Sequence, residues 1–282
     1  MKRASHILPI FVLVFGFLSF RPYPLTSPHL STPRVPASVP RTRPWTHAHN
    51  DYEHAHPLWD ALANHFDSVE ADIWLDDRGE LMVSHMGLAW VGSLRELYLD
   101  PLQKLVREKG SVYGDGESFL LWLDVKERKP EMVAAIQAML KSYPTLFPRP
   151  VTAILTGVPI VKRSYAKHTL PLLAERDEHE FAESDPVALG AVDPWKWYSL
   201  DWFWTMDWDG EGEIPDGEAR KLAALVAGIH AKGRKLRIWN TPDTEGVWRA
   251  SVEAGVDLLN ANNLPGLREF LDHEPLRGLA GR

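Results

Sequence analysis

Ser68-Val69-Glu70-Ala71-Asp72-Ile73-Trp74-Leu75 reads as a β-strand with two unlike faces. Residues two apart on a strand share a side, so Glu70 and Asp72 point one way and Val69, Ala71 and Ile73 the other. The apolar set suits packing under helices, which leaves the carboxylates inside a closed sheet or at its mouth. Unpaired charge there is expensive. Two arrangements resolve it: ion pairs with arginines, or a hard divalent cation, Mg²⁺ or Ca²⁺, which prefers oxygen ligands. Leu121-Trp122-Leu123-Asp124-Val125-Lys126 repeats the pattern and puts Asp124 and Lys126 on one face of the next strand. Asp124 then completes a three-carboxylate set with Lys126 as a point charge for an anionic substrate group. Alternatively, Asp124 and Lys126 pair with each other.

Outward from this strand, short apolar runs alternate with helical spacing. Strands are predicted at 45–50, 68–75, 119–125, 151–155, 197–200, 236–240 and 256–261. Helices are predicted at 57–66, 94–109, 131–141, 217–232, 245–254 and 264–271. Such alternation over roughly 240 residues predicts an α/β fold, a single-domain (β/α)8 TIM barrel over 45–275 with a short tail at 276–282. A doubly wound sheet is the competitor, but no Gly-rich turn follows the first strand. Residues 156–195 are poorly periodic, and the acidic run Glu175 to Asp185 within them reads as a solvated loop.

The 282 residues hold 31 Lys+Arg, 38 Asp+Glu and no cysteine. Disulfides, thiolate metal sites and cysteine nucleophiles are thereby excluded. The net charge of −7 divides unevenly: residues 1–44 carry six basic and no acidic groups, leaving 25 basic and 38 acidic, or −13, for the rest. An acidic main domain argues against a nucleic-acid partner. Lys2 and Arg3 precede an apolar run from Ile7 to Phe20, the pattern of a signal peptide or membrane anchor at 1–20. Seven prolines in residues 21–44 read as an extended linker. The expected location is exported (periplasmic or secreted), or membrane-attached through that first segment.

Histidines bracket the carboxylates. His47 and His49 share parity on the first strand, and His85 ends the run Leu81 to His85 just after the E-x-D strand. An imidazole titrates near neutrality, so two of them beside a bound phosphate form an acid–base pair. The remaining scattered histidines, such as His54, His56 and His230, read as surface residues. Five tryptophans between Pro194 and Asp209 fit either a core under a long loop or the rim of a pocket.

His49-Asn50-Asp51-Tyr52, Pro57-Leu58, the E-x-D strand, Ser84-His85 and Leu123-Asp124-Val125-Lys126 together resemble the phospholipase C-like phosphodiesterase superfamily. That group includes the glycerophosphodiester phosphodiesterases and the sphingomyelinases D, and the nearest branch is the altered inheritance of mitochondria protein 6 family. Trp239-Asn240-Thr241-Pro242-Asp243 and the stretch Ala254 to Asn262 fit its closing strands. The resemblance implies a (β/α)8 barrel with its site at the C-terminal ends of the strands. It also implies Glu70, Asp72 and Asp124 as metal ligands, His49 and His85 as the catalytic pair, and Trp239 as a pocket-lining aromatic. Glycerophosphodiesterases follow the first histidine with Arg-Gly, whereas Asn50 and Asp51 stand here; Asn50 resembles the venom-type arrangement and joins Lys126 and Trp239 as a substrate-binding residue.

The expected function is a metal-dependent phosphoric diester hydrolase acting on a small-molecule or lipid phosphodiester. Alternatives are a PHP or amidohydrolase-type metal hydrolase built on His47-x-His49, and a non-catalytic barrel that binds a head group or sugar. Glu70→Ala and His49→Ala are each expected to remove activity without unfolding the protein.

Overall fold

In a computed structural model that describes residues 44–188 and 193–273, eight parallel strands close into a barrel. The strands are β1 (Trp45–Ala48), β2 (Ser68–Leu75), β3 (Leu81–Val83), β4 (Gly92–Ser93), β5 (Phe119–Val125), β6 (Val151–Gly157), β7 (Ala174–Glu178), β8 (Trp195–Asp201), β9 (Lys235–Trp239) and β10 (Leu258–Ala261). Around the barrel the order is β1-β2-β5-β6-β7-β8-β9-β10, and β10 returns to β1. The helices are α1 (Trp59–Ala63), α2 (Asp100–Lys109), α3 (Met132–Lys141), α4 (Pro159–His168), α5 (Trp202–Thr205), α6 (Asp216–His230), α7 (Glu245–Ala254) and α8 (Leu264–His273). This is the TIM-barrel arrangement the alternation predicts. Among the described residues no helix is long and apolar enough to cross a membrane. The N-terminal segment at 1–20, most of the linker and the tail at 276–282 lie outside the described residues.

β3 and β4 form an antiparallel excursion on β2. Only the first part of β2 pairs with β1, at Ser68 and Val69, while Ile73 to Leu75 pair with β3. The hairpin thus fills the gap where β1 ends and returns the chain to the barrel mouth at Ser84, whose amide donates to the carbonyl of Asp72 at 3.1 Å. His85 arrives at the site by this route.

Two apolar layers hold the fold. Val69, Ala71, Ile73, Leu121, Leu123 and Val125 face outward into the core beneath the helices. The inward faces of the strands supply a second, smaller cluster of Leu120, Trp122, Ile154, Trp197 and Leu258. Trp197 packs on Trp122 and Trp45 at 5.3 and 5.5 Å between ring centroids, and the Lys235 ammonium lies 4.1 Å from the Trp45 centroid. The barrel floor is therefore an aromatic plug in which a cation meets ring faces instead of water.

One expectation needs correction, and one open alternative is resolved. Residues 156–195 contain α4 and β7, so Glu175 to Glu178 belong to a barrel strand and not to a solvated loop. Their charges are absorbed by partners: Asp177 is fully buried against Lys162, and Glu178 binds Arg163 and Arg176. Of the five clustered tryptophans, Trp195, Trp197, Trp202 and Trp208 are buried, as a core reading requires; Trp204 alone is exposed.

Candidate active site

Parallel register places the polar residues in tiers above the aromatic floor. Glu70 aligns with Trp122, and one step higher Asp72 aligns with Asp124 and Asp124 with Thr156. The lower polar tier is a closed network. Arg237 on β9 grips Glu70 through two parallel hydrogen bonds of 2.9 and 2.6 Å, stacks over Trp122 at 4.8 Å and donates to Asn260 at 3.3 Å. Fork-to-fork pairing of this kind is the strong form of an ion pair. Burial opposes the Glu70 charge, but Arg237 and the neighbouring histidines hold its carboxyl well below the usual range. His47 is fully enclosed, with Nδ1 2.8 Å from Ser68 Oγ and Nε2 3.4 Å from Glu70. Burial first and Arg237 second push its pKa down to about 3, so it is a neutral structural imidazole. Both of its ring nitrogens are engaged, which leaves none for a metal of the amidohydrolase type.

The upper tier opens to solvent. Lys126 Nζ bridges Asp124 at 2.7 Å and Asp72 at 2.9 Å, so the ion-pair reading of Asp124 and Lys126 holds here. Burial, and then the charge of Asp124, raise the Asp72 carboxyl to about 6; burial likewise raises Asp124 against the pull of Lys126. The Lys126 pKa is raised by the two carboxylates, against its own desolvation. Tyr52 donates to Asp72 at 2.7 Å and lies 3.0 Å from His85 Nδ1. Since the Tyr52 proton is committed to Asp72, its oxygen accepts from Nδ1 and leaves His85 Nε2 free. Tyr52 is positioned by the short turn Asp51–Glu53, which buried Asp51 pins by accepting from the Leu58 amide at 2.6 Å and Tyr98 at 2.9 Å. Burial raises the Asp51 carboxyl to about 7 despite those two donors.

His49 approaches from the end of β1. Its Nδ1 lies 2.9 Å from Asn262 Oδ1, and Asn262 is itself fixed by Asp243 at 3.0 Å from its amide. An amide oxygen only accepts, so Nδ1 carries the proton and the lone pair of the neutral ring sits on Nε2, 3.9 Å from Glu70. Asn50 follows in the left-handed region at φ 46°, a conformation asparagine tolerates, and turns the chain toward Tyr52. Trp239 ends β9 half-buried, beside Asp201 in register and on the same face as Arg237.

Two oxygens of the upper tier have no donor: Asp72 Oδ1 and Asp124 Oδ1 are buried and unpaired. Beside them, Gly157 takes φ +80°, and a Cβ there would fall 2.1 Å from Asp124 Oδ1. Orphaned anionic oxygens with space preserved around them suit a hard divalent cation. Glu70, expected with them, has both oxygens on Arg237, and among the described residues no three acidic or imidazole groups form a ready-made cage. The donor chemistry therefore fits at Asp72 and Asp124. Gly157→Ala is expected to cost about 1–3 kcal/mol from backbone strain alone and to displace Asp124, which a urea midpoint and a metal titration would register.

Sequence reasoning missed a second polar cluster. Lys162 on α4 is buried against Asp177, Thr156 donates to Asp177 at 2.7 Å, and His179 Nε2 lies 3.2 Å from Thr156 and 3.3 Å from Lys162. Glu175-x-Asp177-x-His179 alternates as Glu70-x-Asp72 does, but the surrounding acids hid the spacing. Arg237 carried a signal too, because it shares a strand face with Trp239.

Residues 41–146 match the family described as AIM6-like phosphodiesterase domain, a span holding His49, Glu70, Asp72, His85 and Asp124. Altered inheritance of mitochondria protein 6 of Eremothecium gossypii is 27% identical, covering 79% of this chain and 68% of that protein. Its counterpart in Saccharomyces cerevisiae is 26% identical, covering 77% of this chain and 68% of that protein. Among solved structures, a putative glycerophosphodiester phosphodiesterase from Galdieria sulphuraria superposes with a TM-score of 0.55 at 14% identity, over 81% of this chain and 98% of that one. A phosphodiesterase of Oleispira antarctica in complex with the product sn-glycerol-3-phosphate gives 0.50 at 15% identity, over 82% and 97%. At such identities the structural likeness speaks for the fold alone. Residues 41–146 thus resemble the AIM6-like phosphodiesterase domain, the chain is similar over most of its length to altered inheritance of mitochondria protein 6, and its barrel fold is that of solved glycerophosphodiester phosphodiesterase structures.

Proposed function

We propose that this chain hydrolyses a phosphodiester, either a glycerophosphodiester or a phospholipid head group, with His49 and His85 as its acid–base pair. One observation carries the reading: two imidazoles from different connections are each anchored through Nδ1 at the barrel mouth, His85 on Tyr52 beside Asp72, and His49 on Asn262 with Nε2 3.9 Å from Glu70. A divalent cation, Mg²⁺ in the first place and Ca²⁺ in the second, is assigned to Asp72 and Asp124, with Glu70 held away from it by Arg237, and would offset charge on the phosphate oxygens. Lys126 adds a cation for the same oxygens, Asn50 lies on the path of the substrate, and Trp239 offers an aromatic wall. One imidazole takes the proton of the attacking oxygen, from water or a neighbouring substrate hydroxyl. That oxygen bonds to phosphorus as the bond to the departing alkoxy oxygen breaks, and the second imidazole protonates the leaving alcohol. The products are an alcohol and a phosphomonoester, or a cyclic phosphodiester when the hydroxyl attacks. Residues 1–20 we assign to export or membrane attachment.

The test is turnover of bis(p-nitrophenyl) phosphate and a panel of glycerophosphodiesters, lysophospholipids and sphingomyelin, with and without chelator. Hydrolysis that chelator abolishes and Mg²⁺ or Ca²⁺ restores is expected. Chelator-insensitive hydrolysis would remove the cation from the reading, and inertness toward the whole panel would leave a binding barrel.

A further inference from the structure

Nine large hydrophobic side chains stand exposed among the described residues, and seven of them belong to connections at the mouth of the barrel. Leu88, 89% exposed, and Trp90 lie on the segment 86–91 that follows His85 beyond β2. Ile160 begins α4 just beyond β6, and Phe203 and Trp204, the latter 92% exposed, follow β8. The other two, Leu170 and Val187, lie toward the opposite end, Leu170 ahead of β7 and Val187 next to Ala188, whose amide bonds Lys232 ahead of β9. Exposed apolar groups scattered singly are ordinary; their concentration on one face is informative.

Their angular placement specifies what they fit. In the closed order, β2 and β8 are four strands apart, on opposite sides of the barrel, with β6 midway between them. The three apolar positions are spread around the polar hole, two of them on opposite sides of it. A peptide segment or small ligand reaches one of them; a broad flat apolar surface reaches all three at once, while the hole over His49 and His85 admits a polar head group. Charge selects among such surfaces. Met86-Gly87-Leu88-Ala89-Trp90-Val91 and Trp202-Phe203-Trp204-Thr205-Met206 contain no charged residue, and the charges around them are mixed: Asp201, Asp207 and Asp209 after β8, Asp77 and Arg78 beside Trp90, and Arg128 and Lys129 beside Ile160. With 25 basic and 38 acidic residues beyond position 44, the domain repels an anionic membrane. Tryptophan favours the water–lipid boundary, where its ring is buried and its polar edge stays wet.

We infer that the mouth face docks on a zwitterionic lipid surface through Leu88, Trp90, Ile160, Phe203 and Trp204. The inference deepens the phosphodiesterase reading, on which it rests for the substrate: the diester is borne by a lipid and enters the barrel from the membrane plane. Docking itself is measured without turnover. The full chain and its Leu88→Asp, Ile160→Asp and Trp204→Asp variants are sedimented with phosphatidylcholine vesicles, and each is assayed on soluble bis(p-nitrophenyl) phosphate. Each charge is expected to weaken vesicle partitioning at least about tenfold, while soluble turnover changes by less than about twofold. The three sites are exposed and far apart, so a folding defect at one leaves the other two to decide, with circular dichroism as the check. Vesicle binding unchanged in all three variants, as attachment through residues 1–43 would give, overturns the inference. So does a wild type that ignores vesicles, or a wild-type dimer that the substitutions dissociate, which would identify a second copy as the occupant. Vesicle binding without hydrolysis would defeat the phosphodiesterase reading and leave docking standing; soluble turnover without vesicle binding would do the reverse.

Discussion

Glu70→Ala is expected to destabilise the folded barrel by about 3–5 kcal/mol, because it leaves the Arg237 guanidinium buried without its counter-ion. For a domain of this size that corresponds to a melting temperature lower by roughly 6–20 °C. The expectation from sequence alone, loss of activity without unfolding, is revised by the structure: Arg237 is only 2% exposed, and besides Glu70 it finds one side-chain oxygen, that of Asn260. Arg237→Met should be similarly damaging, since it strands Glu70 in turn. Replacing both by methionine should recover much of the loss, as hydrophobic exchange of a buried pair often does. Thermal melts of the two single variants and the double variant check this as a cycle. A Glu70→Ala protein that melts with the wild type would show that the pair contributes little to the barrel.

His49→Ala and His85→Ala are expected to lower kcat by about 10²–10⁴ with the fold intact. His85 is half exposed, and His49 makes its side-chain hydrogen bond to Asn262 at the open end of the barrel. The two variants should differ by leaving group. Whichever histidine protonates the departing oxygen is dispensable for p-nitrophenolate, which leaves unprotonated, and needed for an alkyl alcohol. The other is needed for both. Steady-state kinetics on bis(p-nitrophenyl) phosphate and a glycerophosphodiester separate the roles, and full activity of either variant on both substrates removes that residue from the mechanism. Tyr52→Phe offers a milder comparison: it leaves the ring in place but removes the oxygen that orients His85 and donates to Asp72.

The sequence by itself determined the barrel and most of its polar mouth, because both follow from strand periodicity. The strands β2 and β5 were legible to the residue, and alternation alone sorted Glu70, Asp72 and Asp124 from the apolar residues between them. His49 and His85 were singled out by the resemblance of their motifs to a known family and not by periodicity, which gives His47 and His49 the same parity. β7 was not legible. Its inward residues are charged, and pattern reading takes a dense acidic run for solvent exposure when the compensating Lys162 lies on a different element. Only the tertiary structure decided which charges pair. Glu70 and Arg237 are separated by 167 residues, and they meet because closure of the sheet brings β9 across the barrel from β2. The same closure divides equivalent-looking residues by height: His47 is sealed in the lower tier as a neutral strut, and His49, two residues on, reaches the open mouth. Local spacing specifies a face of a strand; depth within a barrel and the partner across it depend on contacts far apart in the chain.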